Sequence, residues 1–328
     1  MIRRRALALT AACATAPWPT LALERPRVVW VGFDPLSPND APVMDPWREA
    51  FRSAGYTDGA NISLEYQYVD AAPAGRAQRL DALLTSLVRD RVDVLFSPRP
   101  EVVLAAKRAT KAIPIVFAAV GNPVAAGLVD SLRHPGENAT GISFDSSATF
   151  AGKQLQLLHD VVRDGRTFGV LRWDSPDGSE FITAARSAGK TLGLTLETVH
   201  IRDANELDAA FSRLGMRRVS GLLVIGSAYS FSNRMQIAAL AIQHRLPTIN
   251  AMREATLAGG LMSYGPVLAE QFRHAAAYID RILKGTKPNQ LPVQQPAKFE
   301  LFINLKTAAA IGSTIPSATL VQADEVIR

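Results

Sequence analysis

The sequence predicts an α/β protein of two doubly wound, parallel-sheet lobes joined by a three-crossing hinge. Three observations carry that expectation. From Arg27 onward, short apolar runs alternate with amphipathic segments of helical period, the pattern of parallel strands covered on both faces. The landmarks of the first half return in the same order about 130 residues later. A length of 328 residues allows a core for each lobe.

The first half reads in order as follows. Residues 28–33 are a continuous apolar run of strand length that stops at Asp34-Pro35. Pro46 suits a helix start, Trp47, Ala50, Phe51 and Ala54 share one face, and Gly55 ends that helix. Residues 62–69 alternate with period two, as a half-exposed strand does. Residues 77–90 form an amphipathic helix with Leu80, Leu83, Leu84, Leu87 and Val88 inward. A strand over 92–96 stops at Ser97-Pro98, a helix covers 102–110, and a strand over 113–120 stops at Gly121-Asn122-Pro123.

The second half repeats this order. A strand over 167–173 stops at Asp174-Ser175-Pro176. Arg186-Ser187-Ala188-Gly189 echoes Arg52-Ser53-Ala54-Gly55, and Leu207-Asp208-Ala209 echoes Leu80-Asp81-Ala82. Arg218-Val219 matches Arg91-Val92 and leads to a strand stopping at Gly226-Ser227, while Leu246-Pro247 matches Ile113-Pro114. The tail has no counterpart in this repeat. Gly259–Pro266 is a short strand ending in Ser263-Tyr264 and a turn, with Gly265 expected to let the backbone change direction. A helix follows with Phe272, Ala276, Ile279 and Leu283 inward, then a strand over 298–303 and a helix over 304–311. A natural use of the tail is to return to the first lobe and then to the second. The expected division is a leader at 1–23, one lobe of 24–142 with 265–290, and another of 143–264 with 291–328.

Charge and composition narrow the function. The +6 net charge comes from 36 basic and 30 acidic residues, and Arg3, Arg4 and Arg5 supply three of the basic ones. No basic run follows, which argues against nucleic-acid binding. Residues 1–23 read as an export signal: a positive start, an apolar stretch over 6–16, and small residues at Thr20-Leu21-Ala22. The apolar stretch is shorter than the ~20 residues a membrane-spanning helix needs. The route, Sec or twin-arginine, stays open. The one cysteine, Cys13, lies in this leader. Lipid attachment there is disfavoured by Thr10 three residues before it and by the shortness of the apolar run. A chain cleaved near Ala22 has no cysteine for disulfides, thiolate metal sites or nucleophilic catalysis.

Ligands bind open parallel sheets outside the carboxyl ends of the strands. Those ends carry Phe33, Asp34, Ser97, Pro98, Gly121 and Asn122 in the first lobe. In the second they carry Trp173, Asp174, Ser175, Ser227, Ala228 and Asn250, with Ser263 and Tyr264 at a crossing between lobes. These residues are the expected ligand site. No Walker A, Gly-x-Ser-x-Gly or His-Glu-x-x-His sequence occurs, and the five histidines have no ligand spacing. No cofactor, metal or catalytic residue is therefore expected. The one acid pair that an enzyme reading offers is Asp34 with Asp174.

Specific stretches carry a resemblance. Gly259-Gly-Leu-Met-Ser-Tyr-Gly-Pro266, Leu291-Pro-Val-Gln-Gln-Pro-Ala-Lys-Phe-Glu-Leu301, Ile303-Asn-Leu-Lys-Thr-Ala308 and Ala323-Asp-Glu-Val-Ile327 are similar to the ABC-transporter substrate-binding family that includes tryptophan/tyrosine-binding proteins. Gly121-Asn-Pro-Val-Ala-Ala-Gly-Leu-Val129 and Asn138-Ala-Thr-Gly-Ile-Ser143 resemble its central signature. The resemblance implies a type I periplasmic-binding-protein fold, hinge closure on a small molecule, delivery to an ABC permease in the inner membrane, and a periplasmic location. An aromatic or other amino acid, or a small carboxylate, is the implied ligand, and a monomer the expected state. A sensor reporting to a membrane receptor is the alternative within the same fold. Members of the family often have Asp where this chain has Asn122, which weakens the expectation of an ammonium partner there. Arg99, in the unusual run Ser97-Pro98-Arg99-Pro100, is expected to be solvated, with a bidentate contact to a ligand carboxylate as the alternative.

Overall fold

A computed structural model describes all residues except 1–24, 34, 71, 73, 145–146 and 175–177, with only the backbone described at 148 and 178–180. The expected leader, Cys13, Asp34 and Ser175 thus lie outside the described residues.

The chain runs β1 (Arg27–Phe33), α1 (Ala41–Ser53), β2 (Ser63–Val69), α2 (Arg76–Arg89), β3 (Val94–Ser97), α3 (Pro100–Ala109), β4 (Ile115–Val120) and β5 (Ala139–Ser143). These strands make a parallel sheet in the order β2-β1-β3-β4-β5. Next come α4 (Ala148–Val161), β6 (Thr167–Trp173), α5 (Gly178–Thr191), β7 (Thr195–Ile201), α6 (Leu207–Met216) and β8 (Gly221–Val224). They are followed by α7 (Ala228–Ser232), α8 (Arg234–Gln243), β9 (Thr248–Asn250), α9 (Arg253–Leu257) and β10 (Met262–Pro266). The tail is α10 (Leu268–Leu283), β11 (Phe299–Asn304), α11 (Leu305–Ile311), α12 (Ser317–Leu320) and β12 (Glu325–Ile327). The second sheet has the order β12-β11-β10-β9-β8-β6-β7, and only the β10–β11 pair is antiparallel.

The two halves repeat in detail. The order β2-β1-β3-β4 is matched by β7-β6-β8-β9. Helices α2 and α6 both end in a left-handed arginine, Arg91 and Arg218, each at φ 51°. The next residue then donates back to a carbonyl in the last turn, Val92 N–H to Leu87 and Val219 N–H to Leu214, each at 3.4 Å. Glycine is the usual occupant of such a stop, because it has no Cβ to clash. The shared exception at equivalent positions is what a duplicated unit produces.

Helix α1 begins at Ala41, earlier than Pro46 suggested, and Pro46 lies inside it. A proline six residues into a helix removes one backbone hydrogen bond. The burial of Val43, Met44, Trp47 and Phe51 holds the helix regardless.

The chain crosses between lobes three times. The first crossing lies between β5 and α4, and the second at Val267 between β10 and α10, which packs on α1, β4 and β5. Residues up to Gln294 still accompany the first lobe, where Ser143 N–H donates to the Gln294 carbonyl at 2.8 Å and Gln294 N–H to that of Gly141 at 3.1 Å. The third crossing then leads into β11. Gly265 does not turn the chain. It lies inside β10, paired with Glu300. A Cβ at this position would stand 1.8 Å from the Ala251 carbonyl oxygen, so the requirement is close approach of two backbones.

Candidate functional site

A cavity of about 310 Å³ lies between the lobes, walled by residues from both. The first lobe contributes Trp30 and Phe33 from β1, Tyr66 from β2, and Phe272 from α10. Trp30 stacks on Phe272 with centroids 5.5 Å apart and planes at 20°. The edges of its ring meet Trp47 at 5.5 Å and Phe96 at 4.7 Å. This aromatic packing fixes the Trp30 ring, and burial raises the Tyr66 phenol pKa against the opposing pull of Arg48. The same wall includes Ala119, a non-glycine residue at φ 57° where the β4–β5 register shifts. Bulges of this kind recur beside binding sites, where they re-aim the chain.

The second lobe contributes a different surface. Ser227 starts α7 and its hydroxyl accepts from Ser230 N–H at 3.1 Å, while the Ser230 hydroxyl accepts from Ser227 N–H at 2.9 Å. That reciprocal cap satisfies the helix start and presents Ser227, Ala228, Phe231 and Arg234 to the cavity. Arg234 is buried and lies 4.3 Å above the Phe231 ring. It donates to the Phe231 carbonyl at 2.7 Å and, across the cleft, to the carbonyl of Asn39. Burial pulls the Arg234 pKa down, and nearby Asp40 and Glu254 oppose that pull. Glu254 is itself buried 3.5 Å from Arg253, and desolvation holds its pKa above the ordinary carboxylate value.

The expected site residues divide. Phe33, Pro98, Ser227 and Ala228 line the cavity. Ser97 is buried behind it, where its hydroxyl donates to the Val31 carbonyl at 2.8 Å and accepts from Arg99 N–H at 3.2 Å. Gly121 follows β4, and Asn122 caps the next turn by accepting from Val124 and Ala125 N–H at 3.1 and 3.0 Å. An aspartate would cap that turn equally well. Trp173 is buried in the second lobe, and Asp174 is an exposed side chain 3.5 Å from His200. Asn250 and Tyr264 offer their backbone carbonyls to the buried Gln154 amide at 3.3 and 2.8 Å. The Tyr264 ring stacks on Phe299 at 5.9 Å and tilts against Phe150 at 6.0 Å. Ser263 is buried in β10 opposite Phe302. None of these eight, from Ser97 to Tyr264, lines the cavity.

Arg99 differs from its expected state. It is 5% exposed and its guanidinium lies 5.0 Å over the Phe33 ring and 4.5 Å over that of Tyr229. An arginine sheds hydration more readily than a lysine and stacks on aromatic faces, so two rings suffice to bury it. Strand-end reasoning missed Trp30, Tyr66, Phe272, Phe231 and Arg234. Trp30 and Tyr66 lie within strands, and their bulk carries them to the cleft. Phe272 was read as ordinary helix packing, and no local signal marks Arg234.

Among the described residues no cluster of three metal-ligating side chains occurs, and no helix is long and apolar enough to cross a membrane. The family model described as ABC transporter substrate binding protein matches residues 42–327. A protein named tyrosine-binding protein, from Clostridioides difficile strain R20291, is 26% identical over 265 residues, covering 80% of this chain and 74% of its own. A conserved domain protein from Vibrio cholerae is similar in structure with a TM-score of 0.83 and 23% identity, covering 92% of this chain and all of its own. An ABC domain from Streptococcus pneumonia in complex with L-Trp gives 0.81 at 22% identity, with the same coverage. A ligand-free, open substrate-binding protein from Clostridium difficile gives 0.64 at 24% identity, covering 92% and 99%.

Proposed function

Because the chain belongs to the ABC transporter substrate-binding protein family, we propose that its interlobe cavity holds a flat aromatic amino acid or a related small carboxylate. In this family the chain's role is to bind a solute for an ABC transporter. The observation that carries the finer reading is the pairing of unlike walls. Trp30, Tyr66 and Phe272 offer flat apolar faces, and Arg234 with the polar start of α7 stands opposite. A planar body gains from burial and from ring–ring geometry, by about 0.5–1.5 kcal/mol per aromatic pair beyond area. An anionic group meets the two buried arginines, Arg99 and Arg234. A similar protein bears the name tyrosine-binding protein, in keeping with this.

The mechanism is closure without chemistry. A ligand that touches both lobes favours the closed form by its differential affinity, and a membrane permease then recognises that form. The greater overlap with the L-Trp complex than with the open, ligand-free protein is in keeping with lobes that sit together here. We assign residues 1–23 to export, the mature chain to the periplasm, an ABC permease as partner, and a monomer as the working state. The enzyme reading loses its support, because Asp174 is exposed beside His200 and outside the cavity wall.

Thermal shift and calorimetry test the ligand class. L-tyrosine, L-tryptophan and 3-phenylpropionate are compared with L-alanine and D-glucose. Binding of one or more aromatic compounds raises the melting temperature by linkage, with the others silent. Binding of glucose or alanine alone would overturn the aromatic reading.

A further inference from the structure

Tyr229 joins the two lobes in a contact that lies outside the cavity wall and that uses only the chain's own residues. It belongs to α7 of the second lobe, where its ring is parallel to Trp173 at 4° and 6.4 Å. It also packs on that lobe's core, and its carbonyl accepts from Asn233, but its hydroxyl and its ring reach across to the first lobe. Its hydroxyl donates to Glu101 Oε1 at 2.8 Å, its ring stacks on Phe33 at 6.5 Å, and the Arg99 and Arg76 guanidiniums lie 4.5 and 5.9 Å from its ring centre. Phe33 and Arg99 line the cavity, whereas Tyr229 does not. They therefore stand between it and a bound molecule.

We infer that Tyr229 is an affinity-setting clasp, a positioning residue that favours the closed arrangement of the lobes without touching the ligand. Three physical terms act together. A hydrogen bond from a phenol to a carboxylate is among the stronger kinds. Burial and the Glu101 charge raise the phenol pKa, so the donor keeps its proton. Opening the lobes separates Tyr229 from Glu101, Phe33 and both cations at once, while its stack on Trp173 stays within the second lobe. The Glu101 Oε2 atom is already buried without a hydrogen-bond partner, so loss of the tyrosine donor would leave the carboxylate still less satisfied in the closed form. A tighter clasp raises the closed population, and apparent affinity scales with the population of the binding-competent state.

The consequence is that the protein samples the closed form before any solute arrives. Small-angle scattering of the solute-free chain tests this directly. Tyr229→Phe, which keeps the ring and its packing, and Glu101→Ala are each expected to increase the radius of gyration. The double variant should expand no further than either single change, because both break one contact. Glu101→Gln, which retains an acceptor, should return toward the parent value. Melting curves like the parent's establish that the variants fold. Identical scattering by parent and all variants, or single effects that simply add, would overturn the clasp. Calorimetry with L-tyrosine supplies a second arm that rests on the proposed ligand class. There Tyr229→Phe should weaken affinity about tenfold, mostly through faster dissociation. Failure of the parent to bind L-tyrosine would count against that ligand, while the scattering still decides the clasp.

Discussion

Trp30 and Val170 occupy the same place in the two lobes, three residues before the end of the strand that starts each unit. Their cross-strand partners also correspond, Tyr66 beside Trp30 and Thr198 beside Val170. The first pair is aromatic, with ring centres 6.2 Å apart, and reaches the cavity. The second pair is small and β-branched and lies outside the cavity wall. The topology is shared, so under the proposed function it is side-chain volume at one register position, and not topology, that would decide which lobe receives the flat part of a ligand. The first lobe's cavity wall is apolar and aromatic, and the second brings capped backbone, hydroxyls and Arg234.

The largest expected effect breaks the first member of that comparison. Trp30 is both a cavity wall and a core residue, packed against Trp47, Phe96 and Phe272. Trp30→Ala should cost about 3–5 kcal/mol of folding stability and should also weaken the binding of an aromatic solute. Urea unfolding and calorimetry measure the two losses separately. Val170 is buried too, so Val170→Ala should cost stability yet leave solute affinity unchanged in the folded protein. Equal losses of affinity in the two variants would dissolve the distinction between the lobes.

Much of the fold could be read from residue pattern, because strand–helix alternation and the repeat are global signals. The landmarks Leu80-Asp81-Ala82 and Leu207-Asp208-Ala209 needed no contacts to be seen, and Arg91 and Arg218 prove to share a left-handed backbone. The site was legible only where a side chain near a strand end points straight into the cleft, as with Phe33 and Ser227. Tyr264 shows why the rule fails elsewhere. A strand has two faces, and Tyr264 turns its ring toward Phe299 and Phe150 while its carbonyl serves Gln154. Arg234 was invisible for the opposite reason. Its role depends on Asn39, which lies 195 residues away in the chain.

A smaller effect sharpens the second lobe's charged wall. The Glu254 carboxyl is buried, and its pKa is raised from about 4.5 chiefly by desolvation, with Arg253 and Arg234 acting against the rise. An acid with a raised folded-state pKa holds its proton more tightly in the folded chain than in the unfolded chain. Its contribution is therefore most favourable below the unfolded value and declines as pH rises through the interval up to the folded value. Glu254→Gln removes that decline. Unfolding by urea at pH 4, 6 and 8 should show the variant gaining on the parent as pH rises, with little difference at pH 4. A constant difference across this range would mean that the arginines cancel the effect of burial, and a variant that loses ground as pH rises would mean that they outweigh it.

The smallest expected effect concerns Asp174, which follows the strand equivalent to the one that ends in Phe33. By position it mirrors the cleft-facing end of the first lobe, and a repeat read literally would give it a ligand role. The structure leaves it with a partner, His200, at 3.5 Å, and both side chains are more than half exposed. Exposed ion pairs contribute little because water screens them and two side chains must be held in place. Asp174→Asn should therefore change stability by no more than about 0.5 kcal/mol and leave the affinity for an aromatic solute unchanged. A large loss of affinity would mean that the second lobe reaches the ligand through the same strand end as the first. The contrast between the two walls would then hold for side-chain size but not for position.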